Sequence, residues 1–248
     1  MEKQVAAFFD IDGTIYREGM ITELFKKLIT HELVDQSAYV DRVMPAYLKW
    51  NKRQGHYDDY MDKMIEIYYE CLVGMRHEHI DFIAKKVIEQ KGDRVYTFTR
   101  DQIFYHQRHK NKVIAISGSP VELVKEMANK YNFDDYRGTV YLTDDEGKFT
   151  GKNIPMWDSK SKHKAIEKLV VKYNLDLSKC YAYGDTTGDL MMLSLVGHPY
   201  AINPTKSLIE GIIKSPELSK KIKIIVERKD MIYEIPLNAI DVNYKPKD

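Results

Sequence analysis

The sequence predicts an α/β fold: a doubly wound parallel sheet core with an inserted α-helical cap. Three observations predict it. Short apolar runs rich in β-formers each end at small or acidic residues. Stripes of apolar residues at helical spacing separate those runs. One long stretch near the N-terminus carries helical stripes alone.

The first element is Val5-Ala6-Ala7-Phe8-Phe9, stopped short by Asp10. A brief apolar run of this kind suits a strand buried on both faces, as parallel sheets require. From about Arg17 to Lys91 three helical faces follow. Ile21, Leu24, Phe25, Leu28 and Ile29 form one, and Met61, Met64, Ile65, Tyr68 and Leu72 the second. Ile80, Ile83, Ala84, Val87 and Ile88 form the third. All three read as helix-packing core of a lid over the carboxyl edge of the sheet. Residues 17–94 are therefore assigned to the cap, and 1–16 with 95–248 to the core.

Lys112-Val113-Ile114-Ala115-Ile116 and Cys180-Tyr181-Ala182-Tyr183 are further strands, with weaker ones at Tyr200-Ala201-Ile202 and Ile222 to Val226. Val121, Val124, Met127 and Ala128 mark a helix, as do Ala165, Ile166, Leu169 and Val170. The stretch from Val140 to Lys152, centred on Asp144-Asp145-Glu146-Gly147, reads as a β-hairpin.

At 248 residues the chain can bury a sizeable core. It is 44% hydrophobic and 30% charged with a formal net charge of +1, which leaves no global field to attract nucleic acid. No apolar run is long enough to span a bilayer, and the run before Asp10 is too short for a signal peptide. A cytoplasmic location without stable membrane association is expected. Cys71 and Cys180 show no metal-type spacing and sit among apolar neighbours, so both are expected as buried, reduced thiols.

Chemistry concentrates in four places. In Phe8-Phe9-Asp10-Ile11-Asp12-Gly13-Thr14 two carboxylates sit two residues apart at a strand end, where open α/β sheets bind ligands. One carboxylate can attack phosphorus, and the other can protonate the leaving oxygen and later activate water. Ile116-Ser117-Gly118-Ser119-Pro120 offers the Ser117 hydroxyl, the Gly118 N–H and a helix start to a phosphate. Gly184-Asp185-Thr186-Thr187-Gly188-Asp189 ends another strand with two more acids. Four clustered carboxylates repel one another, so a hard cation is needed to keep them ionised, and Mg²⁺ suits carboxylates with phosphate and water. Ser159-Lys160-Ser161-Lys162-His163-Lys164 opens a helix, and one of its lysines can offset the charge.

The order and type of these elements resemble the haloacid dehalogenase-like phosphatases, particularly the phosphoserine phosphatase-like branch. The resemblance covers nearly the whole chain and implies a Rossmann-like core. It casts Asp10 as nucleophile, Asp12 as acid/base, and Ser117, Gly118 and Lys162 as phosphate-binding residues, with Lys164 and Lys160 as alternatives to Lys162. It implies Mg²⁺ held by Asp10, Asp12 through its carbonyl, Asp185 and Asp189. Gly188 departs from the pattern, standing where many relatives carry Asn or Asp. The branch's amino-reading cap Glu falls at Gly19, next to Glu18, and its carboxylate-reading Arg near Tyr68, with Arg76 beyond.

The expected function is hydrolysis of a small phosphorylated metabolite. A phosphoserine phosphatase is the runner-up within the enzyme class, and a non-catalytic phosphate-binding protein the reading from another class. His77 and His79, near the start of a cap helix, lack further ligands nearby and read as a solvated face. Lys49-Trp50-Asn51-Lys52-Arg53 reads as an exposed helix end or loop.

Overall fold

The computed structural model of the protein describes residues 2–242. Its centre is β1 (Ala6–Phe9), whose four residues are all buried. Alternation along the strand divides the core: Ala7 and Phe9 face one apolar cluster, Ala6 and Phe8 the other. Both faces are therefore covered, as the continuous apolar run requires.

Five helices follow: α1 (Met20–Thr30), α2 (Gln36–Val40), α3 (Met44–Asn51), α4 (Tyr57–Leu72) and α5 (His77–Lys91). The chain leaves and re-enters the sheet through paired backbone. Tyr16 bridges Val95 antiparallel, and Arg17 and Tyr96 donate N–H bonds to Arg94 and Ile15. The expected apolar stripes are mostly buried, with two refinements. The α5 stripe packs on core helix α7 (Val121–Lys130) as well as on α1. Met61 and Ile65 are only half-buried, because they line a cavity instead of packing wholly into the core.

After α6 (Thr97–Arg108) come β2 (Lys112–Pro120), α7, β3 (Asp135–Thr143) and β4 (Phe149–Ile154). Then follow α8 (Ser159–Tyr173), β5 (Tyr181–Gly184), α9 (Leu190–Leu195), β6 (His198–Ile202), α10 (Lys206–Ile213), α11 (Pro216–Ser219), β7 (Lys223–Arg228) and β8 (Met231–Ile235). The sheet order is β4-β3-β2-β1-β5-β6-β7-β8. Pairings from β3 through β7 are parallel, and the two outer strands are antiparallel. The chain builds outward from β1 through β2 and β3, then crosses to β5 on the other side. That reversal opens a crevice at the carboxyl end of β1, where such sheets bind ligands.

Two stretches depart from the sequence reading. The hairpin arm begins earlier than Val140, because Asp135, Tyr136 and Arg137 pair in parallel with β2 before β3 turns to β4. β8 carried no strand signal, since its residues are exposed or half-buried and alternate in no clear pattern. Cys180 is buried as expected and its sulfur accepts a bond from the Ala6 N–H, whereas Cys71 is only half-buried on α4. His77 is not a purely solvated residue. Its Nε2 lies 3.0 Å from Glu122 Oε1 on α7 and its Nδ1 3.3 Å from Asp81, tying α5 to the core.

Candidate active site

Asp10 directly follows β1, and its N–H donates to the Tyr183 carbonyl of β5. The neighbouring strand ends deliver the remaining groups: Ser117 within β2, and Asp185 just beyond β5. Thr14 Oγ1 donates to Asp185 Oδ1 at 3.2 Å. Gly13, at φ +75°, makes the turn that brings these segments together. A Cβ there would lie 2.0 Å from Asp185 Oδ2, so only glycine allows this approach.

Asp189 completes a short turn after Asp185. Its Oδ2 accepts from the N–H groups of Asp185 and Thr186 at 3.1 and 3.2 Å. One carboxylate oxygen from each of Asp10, Asp185 and Asp189 lies within 4.8 Å of the others, and all three residues are buried. The donor set fits a hard cation, being three carboxylates without nitrogen or sulfur. The Gly188 departure also has a local cause: a Cβ there would meet the Trp157 carbonyl oxygen at 2.4 Å.

Lys162 is the lysine brought to this cluster. Its Nζ lies 2.7 Å from Asp10 Oδ1 and 2.5 Å from Asp189 Oδ1. Lys160 and Lys164 are exposed. The helix itself selects among the three, because Lys162 falls in register with Ala165, Ile166 and Leu169 on the buried face of α8. Asp158 caps that helix, accepting from the Ser161 N–H at 2.9 Å.

Three carboxylates share one ammonium here. Burial raises the Asp10 carboxyl, Lys162 opposes the shift, and Asp189 and Asp12 add to it. Burial likewise pushes Asp185 well above the carboxylate range, with Asp10 and Asp189 contributing. For Lys162 burial disfavours the charge, but Asp10 and Asp189 outweigh it and hold the ammonium above its usual value.

Asp12 stands apart from the cluster of three. Its Oδ1 accepts the Met20 N–H at the start of α1 at 2.6 Å, and its Oδ2 accepts Ser119 Oγ at 2.5 Å and Ser117 Oγ at 3.3 Å. Burial raises its carboxyl, against the lowering effect of these bonds. The carboxylate of Asp12 is thus not among the three grouped oxygens.

Asp10, Asp12, Ser117, Lys162 and Asp185 line a cavity of about 510 Å³ that Gly118 also lines. Three groups that sequence reasoning did not assign reach it. Ser119, in the same pentapeptide as Ser117, bonds Asp12 more closely than Ser117 does. Tyr57, at the start of α4, faces the carboxylates: burial, then Asp185, Asp12 and Asp10, raise its hydroxyl pKa. Trp157 lines the cavity from the loop before α8. Trp157 directly follows no strand and sits in no acidic motif, so no local signal marked it, while Tyr57 is one of several tyrosines within 17–94 able to line a pocket and nothing local singles it out. Arg76, at the start of α5, is exposed and does not line the cavity.

A family model described as haloacid dehalogenase-like hydrolase matches residues 7–194. The chain is 28% identical over 207 residues to an inhibition of morphological differentiation protein from Streptomyces azureus, covering 83% of this chain and 74% of that protein. It is 26% identical over 206 residues to a Mycobacterium tuberculosis protein named a probable phosphatase, covering 83% and 71%. Among solved structures, a Bordetella pertussis Tohama I protein of unknown function matches with a TM-score of 0.69 at 16% identity, covering 86% of this chain and 96% of that one. A phosphoserine phosphatase determined as a phospho-aspartyl intermediate analogue matches at 0.56 and 18%, covering 92% and 96%. At these identities the two structures share the fold. Among the described residues, no helix is long and apolar enough to cross a membrane.

Proposed function

Because the chain belongs to the haloacid dehalogenase-like hydrolases, we propose that it is a magnesium-dependent phosphatase acting on a small phosphomonoester through an aspartyl-phosphate on Asp10. One observation carries the reading: buried Asp10, Asp185 and Asp189 converge at the strand ends, with Lys162 bonded to two of them and Asp12 beside them.

Lys162 holds Asp10 Oδ1, leaving Oδ2 to attack phosphorus in line. As that bond forms, the bond from phosphorus to the leaving oxygen breaks, and Asp12 delivers its proton to that oxygen. Ser119 and Ser117 aim the Asp12 carboxyl. Asp12, now ionised, takes a proton from water as the water attacks phosphorus, and the Asp10–phosphorus bond breaks to release phosphate. Ser117, the Gly118 N–H and Lys162 hold the phosphoryl oxygens. Asp10, Asp185, Asp189 and the Asp12 carbonyl would hold Mg²⁺, which when bound supplies neutralisation of the phosphoryl charge. In this reading residues 17–94 form a cap over the catalytic core of 1–16 and 95–248, hinged at the paired crossings near Tyr16 and Val95. The cap excludes bulk water. We assign the enzyme to the cytoplasm, where its two free cysteines would stay reduced.

The test is hydrolysis of p-nitrophenyl phosphate with Mg²⁺, with EDTA, and by Asp10→Asn. Release of nitrophenol should require Mg²⁺ and vanish in the variant. Full activity in Asp10→Asn would remove the aspartyl-phosphate from consideration.

A further inference from the structure

The cavity above Asp10 has two ends of different chemistry. Its floor is Asp10, Asp12 and Asp185 with Lys162. Its outer wall comes from α4 and the loop before α8, through Tyr57, Asp58, Met61, Asp62 and Trp157. Lys162 is the only lysine or arginine among the described residues lining it, and Asp10 and Asp189 already engage its ammonium.

Asp58 and Asp62 lie four residues apart on α4, so their side chains share the face turned to the cavity. Like charges at that spacing weaken a helix. The positive N-terminal end of α4 explains acids in its first turn, Asp58 and Asp59, but Asp62 belongs to the second turn. Neither the Asp58 nor the Asp62 side chain makes an ion pair or hydrogen bond with another described residue. Burial, with Asp58 and Asp59 nearby, also raises the Asp62 carboxyl. An unpaired acidic pair at the mouth of a cavity that also presents Tyr57 and Trp157 matches what an organic cation requires: counter-charge together with aromatic surface.

We propose that the substrate is an aminoalkyl or quaternary-ammonium alkyl phosphate without a carboxylate, a choice that rests on the phosphatase reading above. Its phosphate sits on the floor, and its cationic end lies at Asp58 and Asp62 against the aromatic surface of Tyr57 and Trp157. The bound cation relieves the repulsion along α4. An ester carrying a carboxylate at that end meets two unpaired carboxylates and no free cation.

The test compares kcat/KM on four esters. Phosphocholine is set against its uncharged carbon isostere, in which a tert-butyl group replaces the trimethylammonium, and phosphoethanolamine against phosphoserine. At least one cationic ester should exceed its comparison ester by about tenfold, the combined effect of weak charge pairing and cation–π contact. Preference for phosphoethanolamine over phosphocholine assigns the contact chiefly to the carboxylates, and the reverse to the aromatic surface. In the Asp58→Asn/Asp62→Asn double variant the cationic-to-neutral ratio should fall toward one, and a thermal melt establishes that it is folded. Asp62→Asn alone serves if it is not. Equal or better turnover of the isostere and phosphoserine overturns the substrate class while leaving the phosphatase reading standing, as does an unchanged ratio in the folded variant. Turnover of none of these esters nor of p-nitrophenyl phosphate overturns both.

Discussion

Replacing Lys162 by Met removes the ammonium from the centre of the site while keeping an apolar stem of similar length. The residue is 2% exposed and its ammonium bonds two buried carboxylates. Taking one member out of a buried ion pair costs about 3–5 kcal/mol, because the charges left behind are neither hydrated nor paired. For a chain of this size each kcal/mol lowers the melting temperature by roughly 2–4 °C, so a loss on the order of 10 °C is expected in EDTA at about pH 8. The loss should shrink on acidification. Asp10 and Asp185 already sit above the carboxylate range, so the folded chain retains protons that the unfolded chain releases. The stability from those protons is fully present below about pH 4, the unfolded value, and disappears as pH rises through the raised folded values. Removing Lys162 lifts those values further and extends the window upward. At about pH 5 the carboxylates can therefore take up protons in place of the missing ammonium, and the deficit should be less than half that at about pH 8. Thermal melts of the wild type and Lys162→Met at both pH values measure this directly. A variant melting within about 2 °C of wild type at about pH 8 would refute the claim that Lys162 is the buried counter-charge.

Gly13→Ala should remain folded while losing its response to Mg²⁺. The φ of +75° costs an alanine about 1–2 kcal/mol, and the added Cβ must displace Asp185 from its position. On the magnesium reading proposed above, Mg²⁺ should raise the melting temperature of the wild type and do so far less in the variant; an undiminished shift in the variant would contradict the close approach of Gly13 and Asp185. His106 governs the acid side of the fold. It is buried, accepts from Asn111 Nδ2 at Nδ1 and donates from Nε2 to Tyr183 Oη, and burial with His109 nearby depresses its pKa to about 4. Its contribution is intact above the unfolded value of about 6.5 and declines by about 3 kcal/mol as pH falls toward 4. Urea midpoints of wild type and His106→Gln across that range should show the decline in the wild type and a flatter profile in the variant.

Much of this protein was legible in its sequence because local physics decides it. The run Val5 to Phe9 is apolar at every position, which only a strand covered on both faces can use, and Asp10 marks where the cover ends. Helical periodicity in α1, α4 and α5 likewise reports a face that must be buried somewhere. The motif carboxylates were visible for the same reason, each standing beside a strand whose signal is strong. Periodicity does not say what a face packs against, and there the tertiary structure decided. It set the α5 stripe against α7, and it turned Met61 and Ile65 toward the cavity. It also held Asp12 by Ser119 rather than among the three grouped oxygens, and brought Tyr57 and Trp157 from remote segments over Asp10. β8 was missed because an exposed edge strand buries little and leaves no pattern to read. What the sequence by itself determined is the elements and the chemical groups at their ends, since propensity and burial act within a few residues. Which groups meet, and so what the cavity can recognise, depends on contacts between residues far apart in the chain, such as Lys162 with Asp10 and Thr14 with Asp185, and only the folded chain supplies them.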